Sequence, residues 1–215
     1  MPDRPHMLVV GEATSTGAPD RCVVHAGLNV MAATAGEAVT QVSEVVTRAL
    51  TVLRDEGTDA SDMRTTNLTV QDFFDQREQR ATARIASYQL EVTVRRPDDV
   101  GRILGSLTEA VGESFQIRGL QLTLGDPEPL RRTARRLAVE DAQTKAAELA
   151  EAAGVHLGAI LSIEETTAPQ AGAGFGHAFG SMASAAGPMV VPPVPLEPGM
   201  LSVTSRVALT YALDD

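Results

Sequence analysis

The densest concentration of potential chemistry is a run of four arginines, Arg131, Arg132, Arg135 and Arg136, inside two helical turns. Guanidinium groups spaced like this could clamp an anion or an acidic partner. They could equally pair with Glu128, Glu140 and acids at a nearby sheet edge, and they oppose the dipole at a helix start. The single lysine, Lys145, stands four residues after Asp141, the spacing of an ion pair along one helix face. It lies in Gln-Thr-Lys-Ala, so it cannot serve a Walker phosphate loop.

Other chemistries find little support. No Gly-x-Ser-x-Gly elbow occurs, and His6, His25, His156 and His177 have no motif around them, so no catalytic residues are predicted. No His-Glu-x-x-His or Asp/Asn ladder appears, so no metal ligands are predicted. The glycines from Gly172 to Gly180 fit no Gly-x-Gly-x-x-Gly register and precede no helix pattern, so no cofactor is expected. Cys22 is alone, which excludes an intrachain disulfide, and it reads as a small buried hydrophobe on a strand.

Composition narrows the field further. The chain has 215 residues, a formal net charge of −10 and 43% hydrophobic residues. That is enough apolar side chain for a core, and the acidic balance argues against nucleic acid as a partner. No stretch of about 18 apolar residues predicts a membrane-spanning helix. The opening residues show no apolar segment followed by a cleavage site. A cytoplasmic location is therefore expected, unless a targeting segment has been removed.

The elements that must carry these residues follow from periodicity. Residues 6–12 are a short apolar run, and alternation from Arg21 to Met31 predicts a strand. Thr34 with Glu37 has capping-box spacing before a helix over 35–56. Strands over 63–76 and 82–96 flank a charged turn. A helix over 98–111 and a strand over 115–124 complete the order βαββαβ from Arg21 to Leu124. That is the ferredoxin-like arrangement, an antiparallel sheet with helices on one face, in an α+β protein. A long helix follows over 128–153, with Leu130, Ala134, Leu137, Ala138, Ala142, Ala146, Leu149 and Ala153 as its apolar stripe. Strands over 155–164 and 201–213 are predicted to pair as neighbours. The organisation expected is one domain over 1–215, with a 6–125 core and a 126–215 helix-and-strand subregion.

Between the last two strands, residues 166–196 carry no Asp, Glu, Lys or Arg and are rich in Gly, Ala and Pro. A long loop is predicted. Phe175, Phe179, Met182, Met189, Val190 and Val191 give it apolar anchors suited to a protein contact. A competing reading makes this loop a lid over an anion site or an enzyme pocket.

The long helix and its exit, from Leu130 through Ala138-Val139, Asp141-Ala142, Lys145-Ala146 and Leu149-Ala150 to Gly154 and Leu157-Gly158, resemble the SIMPL-domain family. Asp141, Lys145, Gly154 and Gly158 fall on its signature positions. Val9-Val10-Gly11 resembles its first strand, and Leu53 to Gly57 with Asp62 and Thr65 resembles a turn of the family. Ser87-Tyr88 departs from its common Gly-Tyr. The resemblance implies a bacterial protein without established catalytic residues and a homo-oligomer. It also carries associations with stress tolerance and immunogenic envelope proteins. On this reading the protein is non-enzymatic and works by self-association or by binding another protein.

Overall fold

The computed structural model describes residues 5–75, 80–166 and 199–214. The chain divides into two compact units, the first built from described residues between Pro19 and Gly125. It contains β2 (Arg21–Ala32), α1 (Ala35–Asp55), β3 (Met63–Asp75), β4 (Arg80–Val94), α2 (Val100–Val111) and β5 (Phe115–Thr123). The strands form an antiparallel sheet in the order β3-β4-β2-β5. This is the predicted βαββαβ arrangement, and the α+β class follows from it.

Local chemistry explains the elements. The Thr34 hydroxyl accepts from the Glu37 amide at 3.2 Å, and the Glu37 carboxylate accepts from the Thr34 amide at 3.1 Å. That reciprocal pair satisfies two donors that a helix start leaves unpaired. On one sheet face Cys22, Val24, Ala26 and Leu28 alternate inward from β2 and meet Ala86, Leu90 and Val92 of β4. Val42, Ala49 and Leu53 of α1 with Val100, Ile103 and Leu107 of α2 close over them as one core. Glu56, just past α1, binds Arg102 and Ser106 of α2 and ties the helix ends together.

The second unit is built from β1 (His6–Gly17), α3 (Glu128–Ala153), β6 (His156–Thr166) and β7 (Leu201–Asp214), with strand order β1-β7-β6. The expectation of a 6–125 core differs from this structure. β1 pairs along its whole length with β7, from His6↔Ala212 to Gly17↔Leu201, and so leaves the ferredoxin-like sheet. The predicted pairing of the last two strands is present as β6–β7.

α3 lies against this sheet on one row of alanines, Ala134, Ala138, Ala142, Ala146 and Ala150, all buried. Leu149 and Ala153 of the expected stripe are instead exposed. The reason is close approach. A Cβ on Gly11 would stand 2.0 Å from the Ala138 carbonyl oxygen and 2.5 Å from the Ala142 nitrogen. Helix backbone therefore rests almost on strand backbone, and only alanine fits the seam. Val9, Val207, Leu209 and Tyr211 fill the rest of this core. Gly154 ends the helix in the left-handed conformation at φ 71°, and its amide bonds back into the last turn.

Candidate functional surfaces

The Asp141–Lys145 pair does more than bridge one helix turn. Asp141 Oδ2 accepts from Lys145 Nζ at 2.6 Å and from the Glu12 amide at 2.8 Å. Lys145 Nζ also reaches the Val10 carbonyl at 3.3 Å. Val10 and Glu12 flank Gly11 on an edge strand, where outward amides and carbonyls would otherwise meet water or another chain. The helix thus supplies an acceptor for one free donor and a donor for one free acceptor. The Lys145 bond first, and after it the bond from the Glu12 amide, hold the Asp141 carboxyl below its ordinary range. Glu12 also pairs through its carboxylate with Arg206 on β7 at 2.8 Å. The sequence spacing revealed the ion pair but not its hold on β1, which joins residues far apart in the chain.

The four arginines are distributed along the start of α3. Arg135 binds Glu165 of β6 at 2.8 Å and Glu128 at 2.9 Å, with Glu165 chiefly holding its guanidinium charged. Arg136 pairs with Glu140 at 2.5 Å, and Arg131 lies 3.9 Å from Glu128. Arg132 is exposed. The acids named from the sequence thus face three of the four guanidiniums, so the run does not converge on an anion.

β6 presents the opposite edge of this sheet, and nothing comparable to the Asp141–Lys145 device covers it among the described residues. Ile160 is 42% exposed, Leu161 57% and Ile163 62%. Two register shifts, between Leu157 and Ile160 and between Ile160 and Ser162, break its ladder with β7. Bulges of this kind re-aim side chains outward. Gly158 lies in the first shift, with the Asp214 carboxylate within 3 Å of where its Cβ would stand. The unalternating run Ala159-Ile160-Leu161 marks a strand in the sequence and does not distinguish a covered edge from an uncovered one. The predicted contact residues Phe175, Phe179, Met182, Met189, Val190 and Val191, with nearly all of 166–196, lie outside the described residues.

In the ferredoxin-like unit, Cys22 is fully buried, and desolvation pushes its thiol pKa up. His25 lies 3.8 Å from Glu91, which also takes a two-pronged bond from Arg64 at 2.9 and 3.0 Å. A shallow hollow runs along the outer face of α1 at Val39, Ser43 and Thr47. A second, about 290 Å³, is lined by Asn29, Met31, Ile85, Ser87, Gln116 and Arg118. Among the described residues there is no group of His, Cys, Asp and Glu arranged to hold a metal ion. No described helix is long and apolar enough to cross a membrane.

Comparison with known proteins matches residues 7–211 to the SIMPL family, described as "Protein of unknown function (DUF541)". The 26 kDa periplasmic immunogenic protein of Brucella melitensis is 32% identical over 169 residues, covering 75% of this chain and 66% of that protein. The chain thus spans just under two thirds of that relative's length. An uncharacterized protein, YggE, is 29% identical in Edwardsiella ictaluri, covering 76% of this chain and 69% of the relative. Its namesake in Escherichia coli strain K12 is 28% identical, covering 76% and 66%. The Brucella proteins are named as periplasmic, which overturns the expectation of a cytoplasmic location.

Proposed function

The chain belongs to the SIMPL family, and from that premise we propose that it is an exported, non-enzymatic protein that self-associates through β6. The periplasmic name of the Brucella relatives supports export. The observation that carries self-association is the asymmetry of the three-stranded sheet. On the β1 edge, where Leu8 and Val10 are also exposed, Asp141 and Lys145 occupy the Glu12 amide and the Val10 carbonyl. Among the described residues, by contrast, no side chain takes up the backbone of β6 beside its exposed Ile160, Leu161 and Ile163.

A second copy is the occupant because β6 complements itself. Paired antiparallel about Leu161, two copies bring their apolar centres together. The His156 end of each then meets the Glu164-Glu165 end of the other. Burying these half-exposed side chains contributes roughly 1 kcal/mol each. Six such residues across a twofold contact can hold a dimer once association entropy is met.

The test is a light-scattering mass across a concentration series. The parent should approach a multiple of 22.6 kDa, and Leu161→Lys with Ile163→Lys should return it to a monomer with unchanged helical content. A parent that stays monomeric, or a double variant with the parent's mass, overturns the proposal.

A further inference from the structure

We propose that the ferredoxin-like unit carries a separate binding site, at a step in its sheet, for an extended peptide that presents a carboxylate. The site is independent of the β6 surface and lies wholly within the unit that contains β2, β4 and β5.

The step comes from unequal strand lengths. Pairing of β5 with β2 ends at Leu28↔Phe115, whereas β2 continues to Ala32, paired on its other side with β4 as far as Arg84. Among the described residues, β2 from Asn29 to Ala32 therefore has no strand on its β5 side, and its outward amides and carbonyls can receive one. The 290 Å³ hollow sits at this step.

Its lining specifies the occupant. Arg118 occupies a bulge in β5, where the register shifts between His25 and Ala26, and its side chain lies across Gly27. A Cβ at Gly27 would stand 2.6 Å from Arg118 Nε, so the glycine makes room for this placement. Among the described residues Arg118 has no carboxylate partner, although the protein is acidic overall. An exposed guanidinium beside a hollow takes a carboxylate in two-pronged fashion.

Asn29 lines the same hollow and has a buried side-chain oxygen with no hydrogen-bond partner among the described residues. That orphan acceptor is one a ligand N–H satisfies, and every peptide residue except proline offers one. Ser87, the register partner of Asn29, and Gln116 add further polar contacts. Met31, 52% exposed, and Ile85 provide the apolar floor. Arginine, methionine and an open strand edge together suit a peptide, and a free small carboxylate would use only the first.

The probe is fluorescein-labelled Val-Thr-Val-Asp, a short strand-forming peptide with an acidic end, read by fluorescence polarisation. The full chain carrying the Leu161→Lys and Ile163→Lys changes is the binding partner, so loss of β6 contacts cannot imitate loss of this site. Saturable binding is expected. Arg118→Ala should weaken it at least tenfold, and Gly27→Ala, which displaces the Arg118 stem, should weaken it as well. Both variants should keep the parent's melting profile. The amidated Val-Thr-Val-Asn analogue should bind at least tenfold more weakly than the acid. Absence of saturable binding, equal binding by acid and amidated analogue, or indifference to Arg118→Ala each overturns the proposal. Displacement of the probe by succinate at concentrations no higher than by unlabelled peptide would overturn the peptide as occupant.

Discussion

Gly11→Ala is a one-carbon change with a large predicted cost. In most strands it would stabilise slightly, by about 0.4–1 kcal/mol, because the unfolded chain loses freedom. Here the new Cβ would stand 2.0 Å from the Ala138 carbonyl oxygen, 2.5 Å from the Ala142 nitrogen and 2.8 Å from the Ala142 Cβ. Carbon–oxygen contacts begin near about 3.3 Å, so α3 must retreat by roughly 1 Å. Neither struck backbone atom can rotate away. A retreat of that size forfeits roughly a quarter to a half of the dispersion attraction along the alanine seam. It also lengthens the bonds from Asp141 and Lys145 to β1. Overpacking of this kind costs about 1–3 kcal/mol, and backbone collisions put this case at the upper end. At about 2–4 °C per kcal/mol for a chain of this size, the melting temperature should fall by roughly 4–12 °C. Circular dichroism suits the measurement, since α3 is the longest of the described helices, with 26 residues. Gly36→Ala is the control, because nothing lies within 4 Å of that position and α1 is helical there. It should be neutral or slightly stabilising. A Gly11→Ala variant melting within a degree of the parent would refute the close-approach argument.

The edge-closing pair makes a milder prediction. Lys145→Ala should cost under about 1 kcal/mol, because the ion pair is solvent-exposed and its partners can turn to water. The Asp141 carboxyl has a depressed pKa when folded, so the unfolded chain binds that proton more readily. Its contribution is therefore present above the ordinary carboxylate range and lost as pH falls through the depressed value. Asp141→Asn should flatten the acid side of the stability–pH curve, and an unchanged acid limb would contradict the assignment. Burial and a raised pKa should leave Cys22 nearly inert to iodoacetamide in the native protein and quickly alkylated in denaturant. Rapid native alkylation would show that the β2 core opens.

How much of this was legible in the sequence depended on range. The Thr34–Glu37 cap, the alternation in β2 and β4 and the glycine stop at Gly154 are local, and local chemistry fixes them. The pairing of β1 with β7 joins opposite ends of the chain, and alternation says only that a strand has a wet face, never which strand lies beside it. Residues 6–12 therefore read as a neighbour of the ferredoxin-like core. Most of the expected stripe of α3 is buried or half-buried, and Leu149 and Ala153 depart from it for a related reason. Leu137 and Leu149 outweigh alanine in any hydrophobic pattern, but Gly11 brings the backbones too close for leucine in the seam. Arg135 could be assigned an acidic partner in kind, although only the turn back into β6 selected Glu165. Exposure of Ile160, Leu161 and Ile163 was not legible, since an apolar run looks the same on a covered and an uncovered edge.

Site-directed cross-linking tests self-association through β6 most directly. With Cys22→Ala as background, a single cysteine at Leu161 would sit at the centre of the antiparallel contact, next to its own copy. Mild oxidation should give a covalent dimer in high yield, whereas a cysteine at Leu8, exposed on β1 at the other edge, should give little. If the Leu161 cysteine stays monomeric under oxidation, or the Leu8 cysteine cross-links as readily, the β6 surface is not where two copies meet.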